Sequence, residues 1–257
     1  MLLWFKYMPR RVWIISLITL VVVLIFAFDV TPWVRGGYGW RWDYLPVAIG
    51  QTIPLIVSLI IYVIGAWLIL TRTHQARYAL LWGLLGTVGL SLAVAYVREG
   101  DVLYMLFTRT VSLPSSSEWW AGATINWSGG EWLDWTGVMT RYGVITSNIG
   151  TSPPGIPMLY ALVTDLIGKS PNLTESLFRG LLPLQCHSYD LLKFTPAEWG
   201  SAWLGMLTPV WAGLAVFPIF SIARRLAPEA DGRIPVLWWA LVPGMLSFTT
   251  SSSTFFP

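Results

Sequence analysis

Long runs without a charged residue are the feature that most constrains how this 257-residue chain can fold. A helix needs about 20 predominantly apolar residues to cross the hydrocarbon core of a bilayer. The sequence therefore predicts an all-α, multi-pass transmembrane bundle of about five to six spans, with a long outer loop that carries interfacial helices. The five runs cover residues 12–28, 44–71, 78–97, 199–223 and 234–248.

Composition excludes several classes of protein. Charged residues make up 11% of the chain and hydrophobic residues 55%, whereas about 25% of a typical soluble domain is charged. A soluble enzyme is therefore excluded, and the small net charge of +3 argues against nucleic acid as a partner. The single cysteine, Cys186, excludes an internal disulfide and a cysteine-clustered metal site. The 17 tryptophans indicate anchoring belts at the membrane–water boundary, or aromatic surfaces that bind lipid or sugar.

Basic residues in short loops predict the orientation. Lys6, Arg10 and Arg11 precede the first run and place the N-terminus in the cytoplasm, as expected for a bacterial inner (plasma) membrane protein. The basic loop at 72–77 is expected on the same side. Three regions follow: residues 1–97 with three spans, residues 98–198 as an outer loop region, and residues 199–257 with the C-terminal spans.

The apolar segment 154–168 is too short for a regular span and leaves two topologies open. If it crosses the membrane, Arg224 and Arg225 fall outside. If it is an interfacial or re-entrant helix on the outer side, both arginines are cytoplasmic. We favour the second topology because it satisfies the positive-inside rule.

The spans themselves offer little chemistry. Neither His74 nor His187 lies within a run, which argues against histidine-ligated haem at membrane depth. The runs lack charge, which argues against an ion-coupled transporter. The glycine row at 83–89 indicates close helix packing, either within the chain, as we favour, or against another membrane subunit.

Charged residues gather in the outer loop instead. Arg98, Glu99 and Asp101 directly follow a run, where a carboxylate at the end of a helix suits a general base or a ligand for a divalent metal. The alternative is a charge cluster that only marks the interface. Further on, tryptophans flank Glu131 and Asp134, a pattern typical both of sugar binding and of helices lying on a bilayer.

Two short motifs give the chain a resemblance to a known family. The first is Thr151-Ser152-Pro153-Pro154-Gly155, a proline elbow that follows a long outer loop and precedes an apolar helix. The second is Ala223-Arg224-Arg225-Leu226 followed by Ala240-Leu241-Val242-Pro243. Over residues 98–250 this order resembles the GT-C-type membrane glycosyltransferases, which include protein O-mannosyltransferases and aminoarabinose transferases.

The resemblance implies transfer of a sugar from a polyprenyl-phosphate donor to an acceptor on the outer face. Asp101 is the residue that best matches the family's catalytic acid, followed by Glu99 and Asp134, and its role would be to deprotonate the acceptor hydroxyl. Arg98, Arg109 and Arg141 would hold the donor phosphate. A cofactor is not identified, although a divalent metal fits the same carboxylates.

The resemblance has departures that motivate a second hypothesis. Ser152 stands where the family usually has histidine, and Asp29 is followed by Val30 rather than by glutamate. Family members also continue with further spans beyond the position of Pro257, so the resemblance implies either an N-terminal portion of a longer protein or a shortened protein that kept the outer loop and lost catalysis. The alternative function is therefore a non-catalytic, structural or accessory subunit of a larger membrane complex, with membrane lipids and other subunits as partners.

Overall fold

A computed structural model gives the fold. It describes residues 49–112, 117–134, 154–187, 192–228 and 231–242, together with isolated positions among 14–30, 136–140 and 244–246. Helices hold 84% of these described residues, and none of them lies in a strand. The all-α class predicted from the sequence is thereby confirmed for the part of the chain that the structure describes.

The chain divides into two units, residues 1–47 and 48–257. In the first unit, the described positions between 14 and 25 are helical, and Ile15 and Leu17 there are exposed apolar side chains. The rest of the first apolar run lies outside the described residues.

The second unit contains ten α-helices among the described residues, with two short 3-10 helices between them. The α-helices are α1 (Ile49–Arg72), α2 (Ala76–Glu99), α3 (Val102–Val111), α4 (Ser117–Thr124), α5 (Gly155–Gly168), α6 (Pro171–Leu181), α7 (Pro196–Met206), α8 (Thr208–Leu214), α9 (Val216–Leu226) and α10 (Arg233–Trp239). The 3-10 helices are Glu131–Leu133 and Leu182–His187.

Three stretches are long and apolar enough to cross a membrane. They are Gly50–Arg72 in α1, all of α2, and Thr208–Leu226, which joins α8 and α9. These correspond to three of the five expected spans. The last expected run, at 234–248, forms the seven residues of α10 and then continues largely outside the described residues.

The fourth expected run differs from the prediction because it is not one continuous helix. It begins inside α7 and turns at Leu207, just before Pro209. Proline has no amide hydrogen, so Pro209 cannot bond the carbonyl of Gly205. The hydroxyl of Thr208 donates to that carbonyl instead. A second turn falls at Ala215, three residues before Pro218.

Helices α3 to α7 form a packed region, which we call the loop region, instead of a loose outer loop. Its core is aromatic: the Phe107 ring stacks on Trp199 at 5.5 Å, and the Trp119 ring lies 4.7 Å from Phe194. The Trp119 indole also donates to the Ser201 hydroxyl at 3.1 Å. Trp119 and Trp199 are 0% and 1% exposed. These two residues serve neither a membrane belt nor an open sugar platform, and the sequence interpretation missed this role.

Helix α5 lies within this region. It has 14 residues, about 21 Å of helix, which is short of the roughly 30 Å hydrocarbon core. It packs against α4 and α7, and its residues Ile156 and Tyr160 belong to the aromatic core. Pro154 is its N-cap, and Pro157 is its third residue and lies in the first turn, where a proline is tolerated because that amide has no partner within the helix.

The two loops at one end of the bundle are held together by Arg233. Its guanidinium donates to the carbonyl of Ile69 at 3.3 Å and to the carbonyl of Thr73, and it pairs with Asp231 at 2.5 Å. The loop after α1 and the loop before α10 therefore lie at the same end, which we call the basic end. If α1, α2 and α8–α9 each cross once, the chain between α2 and α8 starts and finishes on one side. This geometry favours the non-crossing topology for 154–168.

The glycine row packs within the chain, as expected, at two of its three positions. A Cβ on Gly83 would lie 2.9 Å from Val236 of α10, and a Cβ on Gly86 would overlap the ring of Tyr62. That ring is fixed by stacking on Trp82 and by a 2.6 Å hydrogen bond from its hydroxyl to the carbonyl of Leu237. Gly89 has open space around it.

This contrast gives a stability prediction. We expect Gly86→Ala to lower the free energy of unfolding by about 1–3 kcal/mol, because the added methyl group overpacks a fixed ring. Gly89→Ala is the matched control, and it should gain up to about 1 kcal/mol from helix propensity. Thermal unfolding of both variants in one detergent measures the difference, and equal melting temperatures would contradict the packing.

The Arg233 bridge gives a second prediction. Arg233 is only 8% exposed, and hydrogen bonding from its guanidinium holds the pKa of Asp231 below its ordinary value. We expect Asp231→Asn to cost about 1.5 kcal/mol, the low end for hydrogen bonds to charged groups because Asp231 is partly exposed. This contribution should be complete above the ordinary carboxyl pKa of about 3.9 and be lost as the pH falls through the lowered one.

The control for Asp231→Asn is Glu175→Gln, which removes the exposed Glu175–Arg179 pair of α6. An exposed helical pair contributes about 0.3–0.5 kcal/mol. Melting temperatures measured at neutral pH should therefore fall more for Asp231→Asn. A larger fall in melting temperature for Glu175→Gln would contradict the bridging role of Arg233.

Candidate functional site

The charged turn, Arg98–Asp101, joins α2 to α3 at the end of α2 opposite the basic end. Gly100 makes the turn possible because its φ of 74° lies in the left-handed region that favours glycine. Its amide donates to the carbonyl of Tyr96 at 2.8 Å and closes α2. The turn thus fixes Glu99 and Asp101 on either side of a rigid corner.

Asp101 begins α3. Its carboxylate accepts a hydrogen bond from the amide of Tyr104 at 3.0 Å, so Asp101 is the N-cap of that helix. This contact orients the side chain and uses one of its oxygens. A carboxylate has a second oxygen, which can accept a proton or a hydrogen bond from another partner.

Arg109 lies in the last turn of α3 and is partly buried. Desolvation lowers the pKa of its guanidinium, the charge of Arg98 lowers it further, and the charge of Glu99 raises it. These three side chains are therefore within electrostatic range of one another. Arginine stays protonated in proteins, so Arg98 and Arg109 are two cations within range of the Glu99 carboxylate, and Asp101 follows Glu99 by two residues in the chain.

Gln51 also approaches the charged turn, although the sequence analysis placed it in no site. A Cβ built on Gly100 would lie 3.4 Å from the Gln51 side-chain amide, which shows how closely the start of α1 approaches the turn. The amide adds a hydrogen-bond donor and an acceptor. Gln51 is the third residue of α1, and its polar side chain near the start of a predicted span was the available signal.

Asp134 stands in another segment of the loop region. It follows the 3-10 helix Glu131–Leu133, and its carboxylate accepts from the amide of Gly137 at 3.0 Å. The contacts of Asp134 are thus local, whereas Arg98 and Glu99 lie within electrostatic range of Arg109. Arg141 lies outside the described residues.

The aromatic segment near Asp134 has a defined structure. The rings of Trp127 and Trp132 stack 5.0 Å apart, so one face of each indole is covered by the other. Ser128 donates to Asp165 of α5 at 2.5 Å, and Lys169 pairs with Asp165 at 2.6 Å. Hydrogen bonds from Lys169 and Ser128 hold the pKa of Asp165 below its ordinary value. The segment is therefore anchored to α5 instead of lying freely on a bilayer.

Glu118 is a further carboxylate that sequence reasoning did not place in a site. It is 2% exposed and lies in the first turn of α4, where the helix dipole favours negative charge. Its burial follows from the tertiary packing of α4 and has no signature in the sequence. Among the described residues, no three His, Cys, Asp or Glu side chains gather as a metal site would require, so the carboxylates named above do not fit a metal centre.

The double role available to Asp101 can be separated by two substitutions. Asp101→Ala removes the N-cap of α3, and we expect it to cost about 1 kcal/mol of stability. Asp101→Asn keeps a capping oxygen, so its melting temperature should stay close to that of the wild type. Thermal unfolding of both variants tests this assignment, and equal losses would show that the cap at Tyr104 does not stabilise α3.

No family model, curated protein or solved structure matches this chain.

Proposed function

We propose that this protein is a GT-C-like membrane glycosyltransferase that passes a sugar from a polyprenyl-phosphate donor to an acceptor hydroxyl at the end of the bundle formed by the charged turn. The observation that supports the proposal is the electrostatic coupling of Arg109 to Arg98 and Glu99, with Asp101 in the same turn as Arg98 and Glu99. Two cations beside a carboxylate combine the two functions that such a transfer needs: binding of an anionic leaving group and removal of a proton.

In this mechanism Asp101 takes the proton of the acceptor hydroxyl. The hydroxyl oxygen then attacks the anomeric carbon of the sugar, and the bond from that carbon to the donor phosphate oxygen breaks. The leaving phosphate keeps the electron pair and is stabilised by Arg98 and Arg109. Glu99 is the second candidate for the base and also a counter-ion for Arg109, and Asp134 is the third candidate.

The apolar helices supply the setting for such a donor. The isoprenoid tail of a polyprenyl phosphate partitions into the bilayer, so its phosphate sits at the interface. The charged turn ends a helix that is long and apolar enough to span, which would hold the arginines at the same height. The cytoplasmic placement of the N-terminus and the inner (plasma) membrane as location belong to this proposal and follow from the distribution of basic residues.

The binding step is tested with the full chain in mild detergent and a polyprenyl-phosphate sugar as the probe. We expect Arg109→Gln to weaken binding by about 10-fold to 100-fold, as expected for the loss of a hydrogen bond to a charged group. Arg179→Gln is the matched control, because Arg179 is an exposed arginine of α6 that pairs with Glu175. Native mass spectrometry reads the bound lipid directly.

The chemical step is tested with Asp101→Asn. We expect this variant to retain donor binding and to lose transfer of a radiolabelled sugar, because it keeps the helix cap but has no base. A donor affinity that is unchanged in the Arg109→Gln variant would overturn the proposal. Recovery of the chain only with stoichiometric partner proteins, and without bound lipid, would favour the accessory-subunit function.

A further inference from the structure

A groove runs between α1 and α10 near the basic end. Helix α1 contributes Ala66, Trp67 and Leu70, and α10 contributes Ile234, Leu237 and Trp238. Its volume is about 190 Å³, and the side chains that line it are mostly apolar. These features suit a thin, flexible apolar chain.

Exposed indoles flank the groove. Trp67 is 55% exposed and Trp238 is 65% exposed. An indole combines an apolar body with a polar N–H and is favoured at the level of lipid headgroups. Their position indicates that the groove opens to the bilayer near its boundary with water.

Arg233 fixes the polar end of the groove. It directly precedes the groove residue Ile234, and its guanidinium binds the carbonyls of Ile69 and Thr73 at the end of α1. Leu70 of the groove lies between these two carbonyls along the chain. The spacing of α1 and α10 at the mouth is thus set by a buried ion pair and by hydrogen bonds, so the mouth is preformed.

Positive charge surrounds this mouth. Arg72 is exposed and lies two residues beyond Leu70, about 3 Å further along the helix axis. The side-chain stem of Arg224 lies 3.1 Å from where a Cβ would sit on Gly232, next to Arg233. The segments 72–77 and 224–233 together hold five arginines against two acids, and one of the acids, Asp231, is already engaged by Arg233.

We infer that this groove binds one anionic phospholipid, with an acyl chain between α1 and α10 and its phosphate beside Arg72 and Arg224. Charge complementarity selects the headgroup, since basic residues near a membrane surface attract anionic lipids. The apolar walls bind the chain and set its direction. The site is at the opposite end of α2 from the charged turn, so it is separate from the proposed transfer site.

The test uses the full chain in mild detergent, with phosphatidylglycerol and phosphatidylcholine of identical acyl chains as probes, read by native mass spectrometry. We expect phosphatidylglycerol to be retained in preference to phosphatidylcholine. Each arginine near a membrane surface contributes about fivefold to binding. The double variant Arg72→Gln/Arg224→Gln should therefore lose roughly 25-fold of the affinity for phosphatidylglycerol, whereas Arg179→Gln should lose none.

A second variant tests the groove itself. Ala66→Trp fills the groove and should displace the lipid, while Ile60→Trp places the same bulk at an exposed position of α1 outside the groove. Equal retention of the two lipids by the wild-type protein would overturn the inference. So would phosphatidylglycerol binding that survives Ala66→Trp, or a dimer that Ala66→Trp converts to monomers, since a second copy would then occupy the groove.

Discussion

The carbonyl groups left over at helix ends are the constraint on which much of this structure depends. The last four carbonyls of a helix have no partner within it, and apolar surroundings supply no water to bond them. Here many helices are short, so such ends are frequent. Side chains from neighbouring helices fill the need. Trp120 donates to Val111 of α3 at 2.6 Å, Trp211 to Leu204 of α7 at 3.1 Å, and Trp239 to Ala212 of α8 at 2.8 Å.

Hydrogen bonds from side chains to carbonyls at helix ends also join distant parts of the chain, and they explain a structural role of the tryptophans. Tyr62 donates to the last turn of α10, and Arg233 donates to the last turn of α1. An indole is a donor with no acceptor capacity and a large apolar surface. It can therefore satisfy a stray carbonyl and fill a core position at the same time. Exposed residues such as Trp67 and Trp238 fit the expectation of a belt at the membrane boundary. Trp120 and Trp239 instead donate hydrogen bonds to carbonyls at helix ends.

The sequence was sufficient for the all-α class, for three stretches able to span, and for close packing at Gly83 and Gly86. These features depend on local composition, which a single sequence displays. It was not sufficient for the turns at Leu207 and Ala215, because prolines 209 and 218 lie within an apolar run that reads as one span. The sequence also could not show that Glu118 is buried or that Arg109 is within electrostatic range of Arg98. Both results depend on how α3 and α4 pack. The corner of Arg98, Glu99 and Asp101 was predictable because these residues are adjacent in sequence, but the N-cap contact of Asp101 required the geometry of Gly100.

The two ends of α2 differ in how their cations are held, and this difference bears on what each end can bind. At the charged turn, Arg109 is partly desolvated and carries the repulsion of Arg98. The carboxylate of Glu99 offsets part of this repulsion, and an anion that reached both arginines would offset it further, in line with the proposed phosphate binding. At the basic end, Arg72, Arg77, Arg224 and Arg225 are exposed, while the buried Arg233 is committed to Asp231 and to backbone carbonyls. Exposed arginines are well solvated and repel one another weakly, so they suit a diffuse anionic surface, and the groove that we propose as a lipid site lies beside Arg233.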